Sequence, residues 1–129
     1  MTQEEKELLL KDLCGRLPYG IIIQEYNEEY GYSDNALNTI SIGYFSIHEA
    51  SIEGTWINRI ENVRPYLRPM SSMTKEERIE YNIIKCSICP EDADDYAGFV
   101  EWLNEHHFDY RGLIPRGLAL EAPEDIYKS

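Results

Sequence analysis

The chain has 129 residues, 24 acids against 12 bases for a formal net charge of -12, and 43% apolar residues. That length suits one domain with its own core, and a field of that sign repels nucleic acid and anionic membranes unless the bases gather on one face, so direct nucleic-acid binding is disfavoured. A mean hydropathy of -0.49 and aliphatic runs no longer than Leu8-Leu9-Leu10 and Ile21-Ile22-Ile23 leave no candidate for a membrane-spanning helix.

The opening Met1-Thr2-Gln3-Glu4-Glu5-Lys6-Glu7 is acidic and mixed in charge, unlike the basic start and apolar centre of a secretory signal. With only three cysteines, Cys14, Cys86 and Cys89, this predicts a cytoplasmic protein with reduced thiols. Thr2 and Glu5 make a capping box, and Leu9, Leu10, Leu13, Cys14 and Leu17 recur at helical spacing, which predicts a helix over 3–14 ended by Gly15 and Pro18. The β-branched run after Gly20 predicts a strand near 20–26. The turn formers of 27–35 predict a surface loop that displays Tyr30 and Tyr32.

Alternation through Ile40, Ile42 and Tyr44 predicts a second strand near 39–46, and Trp56 and Ile60 share one face of a third near 54–60. The simplest arrangement is an antiparallel three-stranded meander with one apolar face that helices must cover. Arg64-Pro65-Tyr66-Leu67-Arg68-Pro69 is stiffened by its prolines and leads into a second capping box, Thr74 with Glu77. A helix near 75–85 follows with an apolar stripe of Ile79, Ile83, Ile84 and Cys86, then one near 94–106 that buries Tyr96, Phe99, Val100 and Leu103. The tail from Phe108 to Leu120 is apolar enough to fold back on the core, and the chain loosens from Ala122. The expectation is an α+β domain spanning 1–129, a small antiparallel three-stranded sheet packed against about three helices, as a monomer or homodimer.

Cys86-x-x-Cys89 is a pair that chelates zinc or forms a reversible disulfide in other settings, but zinc needs four ligands, and only Cys14, His48, His106 and His107 remain to supply them. Cys86 continues the Ile79–Ile83 stripe, so a buried core thiol is the preferred reading, and no metal or cofactor is implied. His106 or His107 with Asp109 and an arginine has the residue types of a small hydrolase or transferase. The same residues at a helix end also cap carbonyls and close a turn, and no nucleophile completes the set. Arg64, Tyr66 and Arg68 either bind a partner's anionic groups or brace the fold through ion pairs. Met70 and Met73 read as core plugs.

The strings Tyr66-Leu67-Arg68-Pro69-Met70-Ser71-Ser72-Met73-Thr74-Lys75-Glu76-Glu77, Trp102-Leu103-Asn104-Glu105-His106-His107-Phe108-Asp109-Tyr110-Arg111-Gly112-Leu113-Ile114 and Gly117-Leu118-Ala119-Leu120-Glu121-Ala122-Pro123-Glu124 resemble a group of small uncharacterised proteins of gut Bacteroidetes and their phages. Lys11-Asp12-Leu13-Cys14-Gly15-Arg16-Leu17-Pro18-Tyr19-Gly20 is similar too, whereas the resemblance covers the middle, about 27–60, poorly. The resemblance implies a phage-associated or mobile-element protein acting on a macromolecule, and carries no catalytic residues with it. The functional expectation is a non-enzymatic protein-binding module or accessory factor that contacts an unknown protein partner through Arg64, Tyr66, Arg68, Tyr30 and Tyr32. The rivals are the histidine enzyme and an inhibitor that mimics nucleic acid, which needs Glu25, Glu28, Glu29, Glu91, Asp92, Asp94 and Asp95 on one continuous face.

Overall fold

The computed structural model describes residues 1–43, 46–54, 56–89 and 91–127. Helix α1 spans Gln3–Arg16, with Thr2 and Glu5 forming the reciprocal capping box that their spacing predicts. It continues through Gly15, and a 3₁₀ turn, Leu17–Tyr19, follows with Pro18 in its first positions. Gly20, at φ 71°, supplies the left-handed turn into the sheet that a side chain would resist. The inward face of α1 is Leu9, Leu10, Asp12, Leu13 and Arg16, while Cys14 is exposed.

The stretch expected to be a loop is instead half of a hairpin. Strand β1, Ile22–Asn27, pairs antiparallel with β2, Gly31–Ala36, in unbroken register from Ile22↔Ala36 to Asn27↔Gly31. The turn formers concentrate in three residues: Asn27 Oδ1 accepts from the Glu29 and Tyr30 amides at 2.8 and 3.3 Å, and Gly31 takes φ 79°. β2 has no strongly apolar residue to advertise it, which is why its sequence reads as loop.

β3, Thr39–Gly43, and β4, Ser46–Glu53, form a second hairpin, joined by β5, Ile57–Arg59. The expected strand near 39–46 runs through residues 44 and 45, and that near 54–60 through residue 55, all outside the described residues. Beyond β5, a 3₁₀ turn at Ile60–Asn62 leads into β6, Val63–Leu67. Helices α2, Lys75–Ser87, and α3, Ala93–Glu105, then precede a short β7, Leu120–Glu121.

The expected α+β class therefore stands, but not the single three-stranded meander. One sheet is four-stranded and mixed in the order β2-β1-β6-β7, with β6 and β7 parallel, and a second runs β3-β4-β5. A continuous buried cluster joins them: Leu9 and Leu13 of α1, Ile23 of β1, Ile52 of β4, Val63 and Leu67 of β6, and Leu113 and Leu118 of the tail. The segment after Ala122 is held, since its amide donates to Leu67 O at 2.7 Å and Tyr127 Oη donates to Tyr66 O at 2.6 Å.

The sheets approach closely at Gly54, where a Cβ would collide with the carboxylate of Glu25, itself buried in β1 and accepting from Asn35 Nδ2 at 2.7 Å. Gly54→Ala is expected to cost about 1–3 kcal/mol, the usual range for overpacking, measured by urea unfolding. A change below about 0.5 kcal/mol refutes the close approach.

Two further expectations about burial change. α2 has no buried residue at all: Ile79 and Ile83 are each 60% exposed, and Cys86 is an exposed thiol rather than a core one. In α3 Leu103 is buried and Phe99 and Val100 are half-buried, but Tyr96 faces outward. Met70 and Met73 are half-buried.

Candidate partner-binding surface

Antiparallel register sets the side chains of directly opposed residues on the same face. One face of the four-stranded sheet carries Ile23, Glu25 and Val63 inward; the other carries the row Asp34, Gln24, Arg64 and, beside it, the cross-strand pair Tyr32 and Tyr26. The two tyrosine rings lie 5.1 Å apart, and a shallow pocket of about 170 Å³ opens between them, Gln24, Glu61 and Arg64. At the hairpin tip Tyr30 packs on Trp56 at 5.5 Å. Asn58 Nδ2, from β5, donates to Tyr26 O at 2.9 Å and ties the second sheet to this end.

These rings are not core that happens to show an edge. Tyr30 is 72% and Tyr32 69% exposed, and Ile57 adjoining Trp56 in sequence is 74% exposed. Trp56 is itself exposed whereas Ile60 is buried, so the two do not share the face expected of them. The 3₁₀ turn that begins at Ile60 ends the strand's alternation and turns that residue inward. Trp56 is thus the surface residue that the sequence reading misses; its proximity to Gly54 and the break after Arg59 are the signals that it sits near a turn rather than mid-strand.

Of the residues singled out from sequence, Tyr30, Tyr32 and Arg64 gather at this end, while Tyr66 lies deeper on the same face. Its hydroxyl donates to Asp34 Oδ1 at 2.7 Å and accepts from Gln24 Nε2 at 3.4 Å. Burial, followed by the Asp34 carboxylate, pushes the phenol above its ordinary pKa, so it remains a neutral donor.

Arg68 stands apart from the patch. Its guanidinium makes a forked pair with Glu77, at 2.6 and 2.7 Å, lies 4.3 Å over the Phe108 ring, and donates to Ser72 O at 3.3 Å. Glu77 in turn accepts from the Thr74 amide at 2.9 Å as half of the helix cap. One carboxylate therefore caps α2 and ties it to the end of β6.

His106, His107 and Asp109 do not converge. α3 ends in a Schellman motif, the Phe108 amide donating to Leu103 O at 3.0 Å and that of His107 to Asn104 O at 3.1 Å. His107 occupies its left-handed position at φ 63°. Its ring stacks on Tyr127 at 3.7 Å, and the ring of His106 packs on Trp102 at 4.3 Å with Nδ1 2.8 Å from the carbonyl of Trp102. Asp109 accepts the amides of Leu113 and Ile114 at 2.8 and 2.9 Å, closing the turn.

Burial, followed by the nearby Arg16 and Arg68 charges, holds His107 down at about 4, below its ordinary 6.5. A histidine with a lowered folded-state pKa contributes stability that is complete above 6.5 and is lost as pH falls toward 4. Its imidazole carbon-bound proton is therefore expected to stay in the neutral position in an NMR titration from pH 7 down to about 5. A midpoint near 6.5 refutes the buried, stacked placement.

Cys86 and Cys89 are exposed, and among the described residues no group of three His, Cys, Asp or Glu is placed to hold a metal. The side chain of His48 lies outside the described ones. The acids proposed for a nucleic-acid-like face divide among elements: Glu25 is buried, Glu28 and Glu29 sit in the β1–β2 turn, and Asp92 and Asp95 are spent capping α3 and binding the Cys89 amide.

A buried charge cluster joins α1 to the loop after α3. Asp12 accepts from Arg16 Nε at 2.8 Å and from Arg111 Nη1 at 2.7 Å, and both guanidinium groups lie over the ring of Tyr110. Arg16 also donates to Phe108 O at 2.7 Å. Asp12 and Arg16 are fully buried, so this cluster braces α1 against the loop after α3. No protein-family model matches the sequence, and no curated protein or solved structure resembles it closely enough to count as a match.

Proposed function

We propose that the chain is a non-enzymatic protein-binding module whose contact surface is the aromatic end of the β1–β2 hairpin. The observation that carries the reading is the exposed cluster of Tyr26, Tyr30, Tyr32 and Trp56, paired ring on ring beside Arg64. Tyrosine, tryptophan and arginine are enriched among the residues that dominate the binding energy of protein interfaces, and the aromatic pair bury much area at small entropic cost. Tilted ring contacts, Tyr26 with Tyr32 and Tyr30 with Trp56, help hold these rings in place before a partner arrives, which lowers the ordering penalty of association. In this reading the protein serves a phage or mobile element as a cytoplasmic accessory factor, the setting that its resemblance implies.

The test compares wild-type bait with a Tyr30→Ala, Trp56→Ala double variant in affinity enrichment, followed by calorimetry on each purified partner. Both side chains are exposed, so the variant is expected to keep its stability within about 1 kcal/mol. Partner binding is expected to weaken by about 2 kcal/mol or more, the scale of hot-spot residues. Equal affinity of both proteins for every enriched partner overturns the reading.

A further inference from the structure

A second surface, remote in sequence from the hairpin, has the form of a docking groove. α2 and α3 meet through Tyr81, whose ring lies 5.6 Å from Phe99 and 6.1 Å from Trp102, and through Trp102 Nε1, which donates to Glu80 at 3.1 Å. Bordering this contact, and sharing Phe99 and Trp102 with it, is a groove of about 460 Å³ whose apolar lining also includes Ile83, Ile84 and Ile88. It continues along α2 onto Ile79 and Ile83, two exposed isoleucines one helical turn apart. With no fully buried residue and with Ile79 and Ile83 each exposed, the apolar stripe of α2 is covered only in part within the described chain.

The rim decides what covers it. Every charged residue that lines the groove is an acid: Asp94, Asp95, Glu101 and Glu105. The bases of α2 do not line it, and Lys85 instead reaches over the Tyr81 ring at 5.6 Å. Desolvation and then the charges of Glu101 and Glu105 raise the pKa of Tyr19 at the groove edge, in keeping with carboxylates that converge there. An apolar floor with an acidic rim is complementary to an amphipathic helix that carries lysine or arginine beside its apolar stripe. A second copy of this chain, with its net charge of -12, and an anionic membrane both meet the rim with like charge.

We infer that the α2–α3 groove binds a basic amphipathic helix from a partner protein, seating its apolar stripe on Ile79, Ile83, Ile84 and Phe99 and its cations against Glu101, Glu105 and Asp94. The partner class is set by this surface alone, so its test and that of the aromatic patch succeed or fail separately.

The probe is a synthetic peptide of about 18 residues with a leucine stripe flanked by lysines. It is compared with a scrambled peptide of the same composition and with one carrying glutamates in place of the lysines, by fluorescence anisotropy on the full chain. The lysine peptide is expected to bind, to lose about tenfold in affinity on Ile83→Ser, and to weaken as salt rises from about 0.05 to about 0.5 M. Glu101→Lys with Glu105→Lys is expected to weaken it by a similar factor, while the scrambled and glutamate peptides stay unbound. Circular dichroism of each variant checks that its fold is retained; Ile83 is exposed, so its replacement leaves the core untouched. Equal binding of the patterned and scrambled peptides, or binding unchanged in both variants, overturns the inference by reducing it to attraction of a polycation. Sedimentation that shows self-association abolished by Ile83→Ser overturns it in favour of a second copy.

Discussion

Asp12→Ala is expected to destabilise the protein by about 3–5 kcal/mol, the cost of breaking a buried ion pair from one side. The carboxylate serves two guanidiniums, and its removal leaves Arg16 charged at a site with no solvent access. Arg16 Nη1 already has no hydrogen-bond partner among the described residues, so little slack remains to absorb the loss. A domain of this size holds about 5–15 kcal/mol in all, so the variant loses a large share of its margin. The paired change Asp12→Leu with Arg16→Met removes the two fully buried charges together, leaving only Arg111, which has solvent access, and is expected to recover most of it. Urea unfolding of Asp12→Leu, of Arg16→Met and of the pair gives the coupling. A single-variant loss below about 1 kcal/mol contradicts the buried cluster.

The second large effect belongs to the Arg68–Glu77 fork. Arg68→Ala removes two hydrogen bonds to a carboxylate, a ring contact with Phe108 and a bond to Ser72 O. A loss of about 1.5–3 kcal/mol is expected, the range for hydrogen bonds to charged groups. The damage should concentrate on α2: with no buried side chain, the helix depends on this anchor and on its contact with α3, so its amides are expected to lose hydrogen-exchange protection before those of β1 or β6. The Arg68 hydrogen bond, with smaller help from the Thr74 amide and the Arg68 charge, holds Glu77 at about 2 against burial. A carboxylate with a lowered folded-state pKa gives stability that is full above its unfolded value of 4.5 and drains away as pH falls toward 2. Glu77→Gln is expected to flatten that part of the stability profile, and an unchanged acid limb refutes the coupling.

The helix starts were legible because capping chemistry is local: Thr2 with Glu5 and Thr74 with Glu77 are each complete within four residues. β2 was not, because Gly31–Ala36 has no strongly apolar residue and its place in the sheet comes from the strand opposite it and from Asn35 reaching the buried Glu25. The apolar stripe of α2 was legible as a stripe, but periodicity states which residues share a face and not what lies against it. The Asp12–Arg16 pair looks like any surface i, i+4 pair until Arg111 arrives from 99 positions away. Tyr30 and Tyr32 were readable as surface groups from the turn formers around them, whereas the prolines beside Arg64 left open whether it faces solvent or braces the fold; it is exposed. Their neighbour Trp56 was hidden by an alternation that ends a few residues too early.

The tie between the tail and the first strand sets how this molecule acquires its shape. Tyr127 Oη accepts the Ile22 amide at 3.1 Å across 105 positions, and Arg16 reaches Phe108 across 92. Loops of that length cost entropy before their contacts repay it, and chains that must close them fold more slowly. The hairpins and capped helices can form early as fragments, yet none completes its own hydrophobic burial, because Leu113, Leu118 and Ala119 belong to the same core as Leu9 and Ile23. Refolding should therefore be slow for a chain of this size and should report the same rate from a probe in α1 as from one in the tail.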